Sequence, residues 1–395
     1  MKLIPGNITE IKGITAVGKH VGIKKSKLDF AAILSDKICD VAAVYTKNNV
    51  KGAPLIVTKA HLKNGKARAI IINSGVANVC TGKKGIEDAK KTTVLAAKEL
   101  RIKEEDVLVA STGVIGAYLP MDKIEKGIKG LKSELSEKNK DNTKNKENNV
   151  AEAILTTDIV KKEICIEEGS FKIAGIAKGS GMIHPNMATM LAFICTDAKI
   201  SSSKLQGMLK KSVEKSFNMM TVDMDTSTSD MCIVMANGYA GKVDEKKFQN
   251  ALDFVCAELA KKVARDGEGA TKLIEVNVIN AKDEKTAKIL AKSVVSSNLV
   301  KCAFYGNDPN WGRILCAMGN SGAEFEETKT DVYFGKNQIV KNGVTTNFDY
   351  PEIKEIMDKK EVTVTIDIKQ GKANASAFGC DMTEKYIEIN AHYHS

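Results

Sequence analysis

The stretch AKGSGMIHPNMATML, residues 177–191, leads directly into the apolar run TMLAFICTDA, residues 189–198. Its first half is a polar loop whose glycines permit positive φ and close backbone approach. After it, Met190 to Cys195 form a short, uninterrupted apolar run of the kind that forms a buried strand. A polar loop that ends in a buried strand therefore anchors the predicted fold.

Other segments along the chain complete an α/β pattern. Short apolar or alternating runs predict further strands at 67–73, 106–111, 230–238, 361–368 and 385–390. Apolar residues at helical spacing predict amphipathic helices over 85–100, 202–217 and 246–267. This mixture favours helices layered on sheets, an α/β sandwich.

Composition excludes several classes of protein. The chain has 395 residues, of which 43% are hydrophobic, enough for a sizeable core and two or three domains. Its formal charge is +10 but aromatic residues make up only 5%, which argues against a nucleic-acid surface. No apolar run approaches the ~18 residues of a membrane span, and the start lacks a secretory signal.

The cysteines indicate a reducing compartment. Nine Cys are scattered singly with no CxxC pair, and the chain has only five His. Such a set is typical of buried, reduced thiols and not of a disulfide frame or a zinc site. We therefore expect a cytoplasmic protein without a bound metal, and with neither nucleic acid nor membrane as a partner.

The segment SEKNKDNTKNKENN, residues 136–149, contains no apolar residue. It cannot bury apolar surface, so it predicts a solvated loop or helix extension without a catalytic role.

Several segments carry small and polar residues where a core element would not accept them. They are NSGVANVCTG at 73–82, STGVIG at 111–116, AKGSGMIHPNMATML at 177–191, MTVDMDTSTSD at 220–230 and YGNDPNWGRI at 305–314. One such segment alone is usually a structural turn. Five in one chain favour a composite active site.

The Ala188–Thr189 step suits self-cleavage. A Thr hydroxyl can attack the preceding carbonyl, move the acyl group from N to O, and leave a chain that begins with Thr once water releases the ester. The new α-amine has a pKa near ~7.7–8.0. It can serve as the general base for its own hydroxyl, so no His base is needed. The alternative for Thr189 is an ordinary strand residue.

These motifs, together with DGEGATK at 266–272, occur in one order along the chain, and the chain resembles the arginine-biosynthesis bifunctional proteins, the ornithine acetyltransferases. The resemblance runs from the GITAVGKHVGIKKSKLD stretch to the last residue. It implies an α/β sandwich shared with self-processing aminopeptidases. It also implies transfer of an acetyl group from N2-acetyl-L-ornithine to L-glutamate, without a cofactor. Some members also use acetyl-CoA as donor, and the sequence leaves this open.

The resemblance further implies two chains made by self-cleavage. Residues 1–188 would form an α chain and residues 189–395 a β chain, assembled as an α2β2 heterotetramer. Thr189 would be the nucleophile. Thr112 and Gly113 would form the oxyanion hole, a role suited to a hydroxyl and an N–H at a strand end.

Substrate-binding roles are likewise implied by the resemblance. Lys178 matches a substrate-contacting lysine that could pair with an α-carboxylate. Glu268 matches an acid suited to the free amino group of ornithine. Asn390 and Ser395 match a C-terminal binding pair, although a chain end is ordinarily frayed. Thr157 matches a further substrate contact, with Thr156 as the open alternative.

One motif departs from the family pattern. The family commonly has VDGDTSTND where this chain has Met224 and Ser229 in place of Gly and Asn. Met224 suggests that a tight glycine conformation is not needed there, and we therefore predict that this motif lies outside the site.

Two rival functions remain at this stage. A self-processing aminopeptidase of the same fold would give its acyl group to water. A basic, non-catalytic binding protein would use the Gly-rich loops to hold an anion. Glutamate dependence separates the first from an acetyltransferase, and self-cleavage separates the second.

Overall fold

The computed structural model describes residues 1–140, 148–184 and 190–392. The strands are β1 (Lys2–Leu3), β2 (Ile14–Lys19), β3 (Phe30–Tyr45), β4 (Lys66–Val76), β5 (Val107–Val114), β6 (Lys162–Glu168), β7 (Phe171–Lys178), β8 (Leu191–Lys199), β9 (Met231–Lys242), β10 (Leu273–Ala281), β11 (Asp331–Phe334), β12 (Asn337–Lys341), β13 (Val344–Thr345), β14 (Glu361–Asp367) and β15 (Ala373–Cys380). The helices are α1 (Ala53–His61), α2 (Gly82–Leu100), α3 (Met121–Ile128), α4 (Leu131–Lys140), α5 (Val150–Ala153), α6 (Ser202–Lys215), α7 (Glu245–Arg265), α8 (Glu284–Ser296), α9 (Asn298–Tyr305), α10 (Trp311–Gly319), α11 (Tyr350–Met357) and α12 (Glu384–Ala391). Among the described helices, none is both long and apolar enough to cross a bilayer.

The first sheet runs in the order β1-β6-β7-β8-β9-β3-β4-β5, with β2 paired to β3. Strand β3 belongs to both halves of this sheet. Its first part pairs with β2 and β4, its second part pairs with β9, and its register on β4 shifts between Leu34 and Cys39. The two halves bury one face against each other, since Ile70 and Leu108 share a core cluster with Phe193. The sheet therefore folds over itself at β3.

Helices cover the two outer faces of this folded sheet. On the β4–β5 half, the alternate residues Ile71 and Val109 pack with apolar side chains of α1 to α4. On the β7–β9 half, Ile194 packs with residues of α6 and α7, including Leu209 and Leu259. Successive side chains of a strand point to opposite faces, so each strand supplies both an inner and an outer core. The result is four layers in the order helix, sheet, sheet, helix.

The second sheet has the order β13-β12-β11-β14-β10-β15. Its core is separate and contains Val276, Val364 and Phe334 with Leu290 of α8 and Ile314 of α10. The short loop between α7 and β10 joins this unit to the first sheet. The C-terminal helix α12 then follows β15.

The predicted layered α/β architecture is confirmed, and strands and helices occur at most of the predicted places. The predicted strand at 385–390 is wrong, because these residues form α12. The residues that turn inward there, Tyr386 and Ile389, are three apart, which is helical spacing. Six alternating residues were too few to separate the two periods.

The polar insert is a surface feature only in part. Residues up to Lys140 extend α4, and residues 141–147 lie outside the described part of the chain. Asn148, by contrast, is buried. Its amide donates to Asn7 Oδ1 at 3.1 Å, and its carbonyl accepts from the Gly18 N–H at 2.6 Å. A polar side chain can be buried once its hydrogen bonds are satisfied, which the composition argument did not consider.

Candidate active site

A cavity of about 340 Å³ lies where the ends of β5 and β7 meet, although these strands belong to different halves of the folded sheet. It is lined by Ala77, Thr112, Gly113, Val114, Ile115, Thr156, Thr157, Lys178, Gly181, Met182, Ser227, Thr228, Ser229, Glu268 and Asn390. The fold thus brings segments together that are up to 313 residues apart, from Ala77 to Asn390.

Thr112 and Gly113 form one wall of the cavity. They lie opposite Ser74 and Gly75 in the parallel β4–β5 pair. Gly113 has φ of 130°, and a Cβ at this position would overlap the Gly75 backbone. Only glycine fits this close approach. The STGVIG and NSGVANVCTG segments are therefore needed together to place a hydroxyl and an N–H at the cavity wall.

Lys178 ends β7 and is 8% exposed. Its Nζ donates to Thr112 Oγ1 at 3.2 Å. Since Thr112 Oγ1 accepts this bond, its own proton remains available for an oxygen in the cavity. Burial lowers the pKa of Lys178, while Asp158, Asp230 and Glu268 oppose that shift. The cavity thus holds a cation in an acidic surrounding.

Thr156 and Thr157 both line the cavity, so the structure brings both predicted alternatives to the same wall. They differ in their bonding. The Thr156 N–H donates to Asp158 Oδ2 at 3.0 Å, and its hydroxyl lies 3.5 Å from the same oxygen. The Thr156 hydroxyl is therefore directed toward a buried carboxylate.

Glu268 and Asn390 meet in the lining of the same cavity. Asn390 Nδ2 donates to Glu268 Oε2 at 2.7 Å and to the Tyr386 carbonyl at 3.0 Å. Gly181 packs on the Glu268 carboxyl group so closely that a Cβ there would overlap it. Helix α12 is held at its start, where Thr383 Oγ1 donates to the Gly269 carbonyl at 2.8 Å. This arrangement places a carboxylate with 7% exposure in the lining of the cavity that also holds the lysine.

The segment 220–230 was predicted to lie outside the site, and this is wrong. Ser227, Thr228 and Ser229 line the cavity. Met224 has φ of 68°, so the left-handed conformation typical of glycine is kept despite the substitution. The sequence signal for a site was the run of small hydroxyl residues itself, and Met224 does not change that run.

The same segment holds the chain before the proposed cleavage step. Asp223 accepts from the N–H groups of Met182 at 2.6 Å and Ile183 at 2.9 Å. Thr226 Oγ1 donates to the His184 carbonyl at 2.7 Å. After the step, the Met231 N–H donates to the Met190 carbonyl at 3.0 Å. Residues on both sides are thereby fixed to one loop.

YGNDPNWGRI does not contribute to the cavity lining, so the expectation of five converging segments is wrong for this one. Asn310 caps α10 by accepting from the Arg313 N–H at 3.2 Å. Asn307 has φ of 54° and its Oδ1 accepts from Lys272 Nζ. Its small and polar residues serve helix capping and a tight turn.

Three predicted positions, Ala188, Thr189 and Ser395, lie outside the described residues. Within the described ranges no three His, Cys, Asp or Glu side chains are grouped as metal ligands. All nine cysteines are free; Cys80, Cys302 and Cys316 are exposed and the other six are buried.

Comparison with known proteins shows the family. The ArgJ family model matches residues 15–395. The chain is 47% identical to the arginine biosynthesis bifunctional protein ArgJ of Caldanaerobacter subterraneus subsp. tengcongensis and 47% identical to that of Streptococcus thermophilus, over 100% of each chain. A crystal structure of ornithine acetyltransferase complexed with ornithine from Mycobacterium tuberculosis matches 47% of this chain and 99% of its own, at 35% identity and a TM-score of 0.43.

The family match over residues 15–395 and the sequence relatives show that the chain is an acyltransferase enzyme. The chain belongs to the ArgJ family, and it acts in arginine biosynthesis.

Proposed function

We propose that the chain cleaves itself between Ala188 and Thr189 and that Thr189 then carries an acetyl group from N2-acetyl-L-ornithine to L-glutamate. The enzyme is a glutamate N-acetyltransferase, and its products are L-ornithine and N-acetyl-L-glutamate. The observation that carries the mechanism is the convergence of Thr112, Gly113, Lys178 and Glu268 on one cavity.

The first half-reaction forms an ester. The Thr189 α-amine takes the proton of its own hydroxyl as the oxygen attacks the acetyl carbonyl. Thr112 and Gly113 donate to the oxyanion of the tetrahedral intermediate. The C–N bond then breaks, the α-ammonium returns its proton to the leaving amine, and ornithine departs. Acetyl-Thr189 remains.

The second half-reaction reverses these steps with another amine. The amino group of glutamate attacks the ester carbonyl, and the Thr189 α-amine accepts the proton that this nitrogen loses. The Thr189 oxygen leaves and is reprotonated, and N-acetylglutamate is released. Both amino acids share an α-carboxylate, for which Lys178 is the candidate partner. Glu268, with Asn390, is suited to the side-chain ammonium of ornithine, and Thr157 and Ser395 complete the proposed contacts.

The transfer needs no cofactor because Thr189 itself holds the acetyl group, and the substrates are small molecules. An assay with acetyl-CoA and glutamate tests whether acetyl-CoA also serves as an acetyl donor. We further propose that the α chain, 1–188, and the β chain, 189–395, stay associated as α2β2 in the cytoplasm. Their association is supported by strand pairing, since β8 lies between β7 and β9, and β9 pairs with β3.

Replacing the nucleophile tests the proposal. A Thr189→Ala chain should run as one uncut band on a denaturing gel and release no ornithine. The wild type should give two bands and release ornithine in a glutamate-dependent manner. Ornithine release that ignores glutamate would indicate an amidohydrolase instead. Cleavage or transfer by Thr189→Ala would rule out the assigned nucleophile.

A further inference from the structure

Beneath the cavity lies a buried chain of charges, Asp158, Lys162 and Asp266. Lys162 Nζ is 2.6 Å from Asp158 Oδ1 and 2.6 Å from Asp266 Oδ2. The side chains of Asp158 and Lys162 are fully buried and that of Asp266 is 2% exposed. None of them contributes to the cavity lining, so the mechanism above does not use them.

Each carboxyl group is bonded to a loop that carries a substrate contact. Asp158 Oδ1 accepts from the Gly179 N–H at 2.6 Å, next to Lys178, and Oδ2 accepts from the Thr156 N–H. Asp266 shares the loop of Glu268. Its carboxyl group accepts from the Ile159 N–H at 3.2 Å, and its main-chain carbonyl accepts from Ser180 Oγ at 2.7 Å. Three loops of the cavity are therefore connected through two carboxylates and one lysine.

The charges around Lys178 give Asp158 a more specific role. Burial and Lys162 lower the pKa of Lys178, whereas Asp158, Asp230 and Glu268 raise it, Asp158 most strongly. A second lysine, the half-buried Lys24, is also close enough for mutual repulsion, and burial lowers its own pKa to about 8. Without Asp158, Lys178 would be buried beside Lys162 with its strongest counter-charge removed.

We propose that Asp158 is a positioning residue for substrate binding, which keeps Lys178 charged and in place for the α-carboxylate of both substrates. It does so from behind the cavity wall, through the Gly179 N–H and through its charge. This inference rests on the proposed function, because it needs Lys178 to bind a carboxylate.

Burial opposes ionisation of Asp158, yet Lys178 and Lys162 outweigh it and hold its pKa below the usual range. Asp158 is therefore an anion throughout the working pH range. Lys178 loses its proton as pH rises through its pKa, and the neighbouring Lys24, whose pKa is about 8, also titrates on the alkaline side. Removing the charge of Asp158 lowers the pKa of Lys178 further, so carboxylate binding should fail at a lower pH.

The test is the pH profile of kcat/KM for N2-acetylornithine at saturating glutamate. In Asp158→Asn the alkaline limb should move down by about one pH unit, the shift expected for loss of one close counter-charge. Asp266→Asn is the matched control, since it breaks an equally short ion pair to Lys162 but is not among the charges that shift Lys178 most. Its limb should stay at the wild-type pH, whatever its stability. Asp158→Glu, which restores the carboxylate, should move the limb back.

The Lys162→Met variant tests the inference independently, through the direction in which the alkaline limb shifts. It removes a cation near Lys178, so the limb should move to higher pH, a direction that loss of stability does not produce. It remains informative if Asp158→Asn does not fold. An unshifted limb in Asp158→Asn, an equal shift in Asp266→Asn, or no upward shift in Lys162→Met would overturn the inference. A wild type that fails to transfer acetyl to glutamate would instead overturn the proposed function.

Discussion

The two sheets of this molecule have similar sequence features, but only the first is associated with the candidate active site. Both have strands with separate apolar cores and loops rich in Gly, Asn and Asp. In the folded first sheet, the loops that follow β5 and β7 reach the same cavity. In the second sheet, the comparable YGNDPNWGRI loop caps α10 and makes a turn. Composition marks a loop as unusual, and the folding of the sheet decides whether it meets other such loops.

The two regions also differ in the charges that surround a buried lysine. The first region buries Lys178 in a cavity with carboxylates around it. The second buries Lys301, at 2% exposure, with its Nζ 3.5 Å from Cys380 Sγ. A buried cation that faces a cavity can bind an anion, whereas one enclosed by protein only adds a desolvation cost.

Substituting these two lysines should give the largest contrast. Lys178→Met should lower kcat/KM for acetylornithine about 100-fold, since a buried charged hydrogen bond is worth about 1.5–3 kcal/mol. Lys301→Met should leave activity within about twofold and keep or raise Tm, because an apolar side chain replaces a buried charge. Steady-state kinetics and thermal unfolding measure both. Equal losses of activity in Lys178→Met and Lys301→Met would contradict the view that only the first region binds substrate.

The second comparison is between two carboxylates that hold loops in place by accepting hydrogen bonds from main-chain N–H groups. Asp223 accepts two N–H bonds just before the proposed cleavage step, and Asp331 accepts from the Asn342 N–H at 2.8 Å in the second sheet. Asp223→Asn should slow self-cleavage about 10- to 100-fold, because attack depends on close positioning. Asp331→Asn should lower stability and leave the cleavage rate unchanged. Time courses on denaturing gels follow the precursor. Wild-type cleavage in Asp223→Asn would remove this loop from the processing machinery.

The smallest effect is expected for two hydroxyls. In the described part of the chain, Ser229 Oγ and Ser296 Oγ are buried without a hydrogen-bond partner. Only Ser229 lines the cavity. Ser229→Ala should raise KM about three- to tenfold without loss of Tm, since a neutral hydrogen bond to substrate is worth about 1 kcal/mol. Ser296→Ala should change neither KM nor kcat. An unchanged KM in Ser229→Ala would leave that hydroxyl without a binding role.

The sequence predicted the layered fold because buried strands such as Ile70–Ile72 and Leu191–Cys195 are unbroken apolar runs. It also predicted residues that now lie around one cavity, Lys178 and Glu268 among them. It could not predict that Lys162 would also pair with Asp266 beneath them, since these two residues are 104 apart in the sequence. Nor could it predict that Met224 would adopt a glycine-like φ, because surrounding bonds can impose a conformation that the residue itself disfavours.

Strand β8 has a consequence for the order of events in the life of this protein. It begins just after the proposed cleavage step, and it is inserted between β7, from before the step, and β9, from after it. Segment 221–230 holds the chain before the step and leads directly into β9, whose first residue, Met231, bonds to Met190 after it. If the proposed cleavage takes place, both flanks of the step are held only in a chain whose first sheet is already paired. On that proposal, assembly of the sheet precedes processing, and a chain that has not folded stays uncut and inactive.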